Sequence, residues 1–127
     1  MARALLFAAF APVRSSHLMT IVDPILILIL IRFRAALAEL YGDRVERVVL
    51  YGSRARGNAR PDSDDDIAVF LKNLSSRWQE VRRITDIELA VRNDTGADIH
   101  TMPYPAESWR DPSSPLMSDI RKDGRDL

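Results

Sequence analysis

The sequence predicts an α/β fold in which a small mixed β-sheet is flanked by helices. The chain has 127 residues, enough for one domain with a buried core but too few for two. Two long segments have apolar residues at steps of three and four, the spacing of amphipathic helices. Three short segments rich in β-branched and aromatic residues, together with a short last helix, give the order helix, strand, strand, helix, strand, helix.

The first helix is predicted to begin at Asp23 and Pro24, because aspartate caps helix N-termini and proline is tolerated at the first helical position. Gly42 is expected to end it, since glycine commonly follows the last helical residue. One apolar stripe connects these two ends: Leu26, Leu30, Phe33, Leu37 and Leu40. The alternation of Ile and Leu over residues 25–31 would suit a strand equally well.

The remaining elements follow from apolar runs and their boundaries. Strands are predicted over residues 45–51, 66–71 and 97–102, a long helix over residues 76–92, and a short helix over residues 116–122. Ser75 and Ser76 are suitable caps for the long helix. Pro103 and Pro105 are expected to bound the third strand, because proline cannot donate a hydrogen bond to the sheet.

Composition argues against several classes of protein. Lys+Arg and Asp+Glu each number 18, so the formal net charge is zero, and a protein that coats nucleic acid is not expected. The absence of cysteine excludes disulfides and thiolate metal sites and is compatible with a reducing cytoplasm. The apolar run over residues 25–31 is far shorter than the ~20 residues that span a bilayer. We therefore expect a cytoplasmic protein without membrane association.

The N-terminal residues 1–22 are predicted to be a disordered leader, followed by a domain over residues 23–127. The apolar segment over residues 4–11 resembles the hydrophobic part of a secretion signal, but Pro12 directly after it disfavours cleavage. Met19 is an alternative natural start, in which case residues 1–18 come from an upstream start codon.

Gly52-Ser53 directly follows the first predicted strand and is a candidate phosphate contact. A glycine lets the backbone approach a ligand closely because it has no Cβ. If a short helix starts at Ser53, its free N–H groups and positive dipole end suit a phosphate oxygen, and the Ser53 hydroxyl adds a further donor.

Three consecutive aspartates lie at the start of the second predicted strand. Because side chains alternate along a strand, Asp64 and Asp66 point to one face, roughly 6–7 Å apart at Cβ, and Asp65 points to the other. Two such carboxylates can hold one or two Mg²⁺ ions, which keep waters and commonly bind substrate phosphates as well. Asp98, in the third predicted strand, is the candidate for a third carboxylate that binds metal or accepts a proton.

Each of these features also has a plainer explanation. A glycine–serine pair after a strand is commonly a simple turn, an acidic run is normally a solvated loop, and Asp98 can cap the turn at Gly96. His100 lies two residues past Asp98 and either borders the cleft or is a hydrogen-bonded residue at the strand end. Trp78 is assigned to the core and Trp109 to packing within a loop, because neither spacing suggests a base-stacking platform.

Two segments together carry a family resemblance: residues 52–57 (Gly-Ser-Arg-Ala-Arg-Gly) and residues 63–67 (Ser-Asp-Asp-Asp-Ile). They resemble the motif of the DNA polymerase β-like nucleotidyltransferase superfamily, and the short length resembles its minimal nucleotidyltransferases. The resemblance covers residues 23–127 and implies the fold of that superfamily. One departure is Asp65, whose position is usually apolar or aromatic in such proteins.

The resemblance implies a role for each residue of the motif. Gly52 and Ser53 would contact the triphosphate. Asp64 and Asp66 would bind Mg²⁺, with two ions expected, and Asp98 would be the third, catalytic carboxylate and a further metal ligand. Arg54 and Arg56 also lie in the motif, at positions where phosphate contact and a solvent-facing charge both remain open.

The resemblance further implies that AMP is transferred from ATP to an acceptor hydroxyl, with release of pyrophosphate. Minimal members are often encoded with a helical HEPN-domain protein as a toxin–antitoxin pair, in which the nucleotidyltransferase adenylylates and neutralises the toxin. A HEPN-domain toxin is therefore the expected partner. Two alternatives remain open: neutralisation of a toxin by contact alone, and transfer to a small molecule such as an aminoglycoside by a homodimer.

Overall fold

A computed structural model describes residues 24–52 and 65–127, apart from the side chain of residue 65. The helices are α1 (Pro24–Tyr41), α2 (Arg77–Thr95) and α3 (Pro115–Asp123), and the strands are β1 (Val45–Tyr51), β2 (Asp65–Leu71), β3 (Ile99–Pro105) and β4 (Arg125–Asp126). Short 3-10 helices cover Gly42–Arg44 and Ala106–Arg110. The predicted α/β fold and element order are confirmed, whereas β4 was not predicted. The predicted leader over residues 1–22 lies outside the described residues.

The strands form one mixed sheet in the order β3-β2-β1-β4. β1 is antiparallel to both of its neighbours, β2 and β4, and β2 is parallel to β3. Parallel neighbours need a long crossover connection, and α2 supplies it between β2 and β3. Within the described ranges, no helix is long and apolar enough to cross a bilayer.

The sheet is covered on both sides, so the central strands are apolar at consecutive positions. One side packs against α1 and α2, and we call it the α1/α2 face. Its fully buried side chains include Leu30, Phe33, Leu37, Leu50, Ile67 and Ile84. The other side, the α3 face, has a smaller core of Val49, Ala68, Phe70, Met117 and Ile120. Because side chains alternate along β2, Asp66 lies on the α3 face with Ala68 and Phe70.

The ends of α2 show why the sequence located this helix. The Ser76 hydroxyl accepts a hydrogen bond from the N–H of Gln79 at 3.3 Å, which confirms the predicted cap. Gly96 ends the helix with φ of +77°, a conformation that glycine adopts without strain. The helix continues to Thr95, so the turn predicted over residues 93–96 is shorter than expected.

Trp78 is not a core residue, and its predicted assignment was wrong. Its side chain is 72% exposed, whereas Glu80 and Ile84 are buried. At about 100° per residue, Trp78 lies nearly opposite Glu80 around the helix. Because Glu80 and Ile84 are buried, their side of α2 faces the interior of the protein. Trp78, on the other side of the helix, is left in solvent. The assignment of Trp109 to packing is confirmed by its edge-on contact with the ring of Phe70, at 5.4 Å between ring centroids.

The third strand runs through both prolines to Pro105, so the predicted end at residue 102 was wrong. β3 is an edge strand, and proline is tolerated where no neighbouring strand needs its N–H. Side chains of α2 form hydrogen bonds with backbone groups of β3. A Glu88 carboxylate oxygen accepts the N–H of Thr101 at 2.7 Å, and Arg77 donates to the carbonyl of Pro103 at 2.9 Å.

Candidate active site

Gly52 and Asp66 are in close contact at the end of β1 and the start of β2. Gly52 has φ of +84°, and a Cβ built on it would lie 2.9 Å from Oδ2 of Asp66. Any other residue here would be strained at that φ and would also displace the carboxylate. The glycine is therefore required both for the turn and for the approach of Asp66 to the backbone.

Asp66 is the middle of a row of three residues across the sheet. Tyr51 is its partner in the antiparallel ladder with β1, and His100 is its partner in the parallel ladder with β3. Directly paired residues on neighbouring strands place their side chains on the same face, so all three lie on the α3 face. Asp66 and Tyr51 are partly buried, whereas His100 is exposed. His100 thus lies beside the candidate carboxylate. This position is the one expected if His100 borders the cleft.

Asp98 does not lie inside a strand, so that part of its prediction was wrong. The ladder between β2 and β3 begins with the pair Asp65 and Ile99, and Asp98 directly precedes it. The Asp98 side chain is 53% exposed and forms an ion pair with Arg92 of α2, at 3.5 Å between Oδ1 and Nε. Gly96, which ends α2, lies only two residues before Asp98. The chain has turned far enough to pair with β2 only from Ile99 onward.

Four predicted site residues lie outside the described residues: Ser53, Arg54, Arg56 and Asp64. The predicted pairing of the carboxylates of Asp64 and Asp66 on one face therefore stays a prediction. In the described ranges 24–52 and 65–127, no three His, Asp or Glu residues are grouped so that they could hold a metal ion.

Tyr51, the ladder partner of Asp66, and Tyr104, which meets Tyr51, were not predicted from the sequence. The Tyr51 hydroxyl forms a hydrogen bond with the Tyr104 hydroxyl. Burial raises the pKa of Tyr51 to about 12, with further increases from the charges of Tyr104 and Asp66 and from that hydrogen bond, and Arg77 opposes them. No sequence spacing could have identified this pair, because Tyr51 and Tyr104 meet only when β1 and β3 flank β2.

The described part of the site supplies one oxygen ligand of the kind that a divalent cation uses. Carboxylate oxygens are preferred ligands of Mg²⁺, and Asp66 presents one beside the backbone of Gly52. The missing Cβ of Gly52 is what lets Oδ2 approach the backbone this closely. Asp66 is therefore suited to be one metal ligand, and the second predicted ligand of the pair, Asp64, lies outside the described residues.

Comparisons with known proteins assign the chain to a family. The sequence model of the nucleotidyltransferase domain family matches residues 30–121. Among solved structures, a similar chain belongs to a mutant of the toxin–antitoxin MntA-HpeT, with 20% sequence identity and a TM-score of 0.48. That similarity covers 72% of this chain and 66% of the other, slightly less than two thirds of its length. No curated protein sequence matches the chain.

Proposed function

Because this chain belongs to the nucleotidyltransferase domain family, we propose that it is a Mg²⁺-dependent enzyme that transfers AMP from ATP to an acceptor hydroxyl. The observation that carries the proposal is the Asp66 carboxylate lying against Gly52 where β1 ends and β2 begins. The turn at Gly52 has a φ that glycine adopts without strain, and the absence of a Cβ lets Asp66 take a defined position next to the motif's glycine.

In this proposal the residues of the motif divide into three roles. The Gly52-Ser53 turn and the arginines Arg54 and Arg56 bind the triphosphate. Asp64 and Asp66 hold Mg²⁺, which neutralises charge on the phosphates when it is bound.

The third role belongs to Asp98, which completes the metal site and takes the proton from the acceptor hydroxyl. The acceptor oxygen attacks the α-phosphorus of ATP, the bond to the β-phosphate oxygen breaks, and pyrophosphate leaves. For this, Asp98 must exchange its ion pair with Arg92 for contact with the acceptor. That exchange costs little, because both side chains are largely exposed.

We further propose that the acceptor is a hydroxyl of a HEPN-domain toxin, which this protein neutralises as its antitoxin in the cytoplasm. This part rests on the resemblance of residues 52–67 to the minimal nucleotidyltransferases. The solved MntA-HpeT structure is that of a toxin–antitoxin.

The test is transfer of α-³²P label from ATP in the presence of Mg²⁺ and a HEPN-domain protein encoded next to this chain. Asp66→Asn and Asp64→Asn should each lower labelling by at least ~100-fold, because each removes charge that stabilises the transition state. Asp86→Asn is the matched control, since Asp86 is an exposed aspartate of α2 and should leave labelling unchanged.

Three results would count against parts of the proposal. Unchanged labelling in Asp66→Asn would remove the proposed site. Protection from the toxin without any labelling would show neutralisation by contact alone. Label on an aminoglycoside, with none on the protein partner, would show a small-molecule enzyme, and sedimentation would then reveal whether a homodimer is the active form.

A further inference from the structure

Three aromatic side chains on the α3 face, Tyr51, Tyr104 and Phe70, form a connected group that begins at the ladder partner of Asp66. Tyr51 is the ladder partner of Asp66, and its hydroxyl is bonded to that of Tyr104. Tyr104 in turn stacks on Phe70, with 5.7 Å between ring centroids and 28° between ring planes. Phe70 is fully buried, so the group is anchored in the smaller core at one end and reaches Asp66 at the other.

Arg77 fixes the remaining side of Tyr104. Its guanidinium lies 4.7 Å from the centroid of the Tyr104 ring, and its Nε donates to the carbonyl of Pro103 at 2.9 Å. Tyr104 is thus held between Phe70 and Arg77. A hydroxyl held in this way offers Tyr51 a fixed partner, so Tyr51 has few alternative positions.

From this arrangement we infer that Tyr51 is a positioning residue for the Asp66 carboxylate and that Tyr104 and Arg77 hold Tyr51 in place. The inference rests on the proposed function, because it assumes that Asp66 binds the metal ion. On the β1 side, Asp66 is paired with Tyr51 in the ladder, and its Oδ2 lies close to the backbone of Gly52. Loss of the Tyr51 hydrogen bond allows its ring to move, and the carboxylate then spends less time in the orientation that binds the ion.

The inference is tested by binding of Mn²⁺, as a substitute for Mg²⁺, followed by electron paramagnetic resonance without nucleotide. Tyr51→Phe and Tyr104→Phe each retain the ring and remove one partner of the same hydrogen bond. Each should weaken Mn²⁺ binding by about tenfold. The double variant should be no weaker than either single variant, because the two hydroxyls act through one bond.

Tyr41→Phe is the matched control. Tyr41 also has a buried hydrogen-bonded hydroxyl, but its partner is Glu80 in the α1/α2 core. Its loss should lower the unfolding temperature without changing Mn²⁺ binding. Unchanged binding in Tyr51→Phe, or equal weakening in Tyr41→Phe, would overturn the positioning role.

A separate variant distinguishes failure of the inference from failure of the proposed function. Retention of Mn²⁺ binding in Asp66→Asn would contradict the proposed metal site itself. Loss of binding in Asp66→Asn together with unchanged binding in Tyr51→Phe would contradict only the role of Tyr51.

Discussion

The two faces of the sheet each enclose a tyrosine next to a carboxylate, but they treat the carboxylate differently. On the α1/α2 face, Tyr41 donates to Oε1 of Glu80 at 2.9 Å, and Glu80 is only 4% exposed. On the α3 face, Tyr51 donates its hydrogen bond within the tyrosine pair, and Asp66 stays partly exposed. Glu80 is buried within the fold, whereas Asp66 is partly exposed.

The surroundings of Glu80 explain why it can be buried. Arg83 lies 3.2 Å from Oε1, and Arg44 lies 3.5 Å from Oε2. A buried carboxylate is tolerated only when such partners compensate for its lost hydration. Glu80 thereby joins the end of α1, through Tyr41, to the start of α2. The comparison teaches that full burial with several compensating partners indicates a structural acid, whereas partial exposure beside a glycine turn is compatible with a functional one.

The largest expected effect comes from removing one buried phenylalanine from each face. Phe33 and Phe70 are both fully buried, so Phe33→Ala and Phe70→Ala should each lower the free energy of unfolding by about 3–5 kcal/mol. Phe70 also supports Tyr104 next to the candidate site, whereas Phe33 does not. Urea denaturation measures the first effect, and Mn²⁺ binding by the folded protein measures the second.

Only Phe70→Ala should weaken Mn²⁺ binding under conditions in which both variants are fully folded. Equal weakening in both variants would contradict the assignment of different roles to the two faces. Leu30→Ala is a further control, because Leu30 is also fully buried in the α1/α2 core.

An intermediate effect is expected at high pH, where the tyrosines ionise. Burial is the main cause that raises the pKa of both Tyr41 and Tyr51, the latter to about 12. A raised pKa in the folded state means that stability is fully present below the unfolded value of about 10 and is lost as the pH rises through the folded value. The free energy of unfolding should therefore fall between about pH 10 and pH 12.

Ultraviolet absorbance of phenolate checks this, because the chain has only three tyrosines. Tyr51→Phe should remove the component near pH 12, and Tyr41→Phe should remove the component that ionises last. Tyr41 should ionise after Tyr51 because its hydroxyl donates directly to the Glu80 carboxylate. Ionisation of both residues near their ordinary value would show that neither hydroxyl is enclosed as described.

The sequence predicted what depends on near neighbours along the chain. Capping serines, terminal glycines and apolar periodicity located the helices, because these signals act within one or two turns. Apolar runs located β1 and β2 for the same reason. Gly52 and Asp66 were assigned to one site from the family resemblance, and the structure shows the close contact between them.

What depends on distant pairing was not predictable from the sequence. Pro103 and Pro105 suit β3 only because β3 is an edge strand, which is a property of the whole sheet. The two-residue strand β4 exists only through its pairing with β1. Tyr104 likewise meets Tyr51 because β1 and β3 both flank β2, and not through any spacing along the chain.

The smallest expected effect on stability comes from breaking the ion pair between Arg92 and Asp98, just before β3. Arg92 and Asp98 are 64% and 53% exposed, and exposed ion pairs contribute about 0–1 kcal/mol. Arg92→Ala and Asp98→Asn should therefore both leave the free energy of unfolding almost unchanged in urea denaturation. AMP transfer should persist in Arg92→Ala and be lost in Asp98→Asn, because only Asp98 is the proposed proton acceptor. Since both variants break the same ion pair, equal transfer in both would contradict a catalytic role for Asp98 and leave it a surface residue.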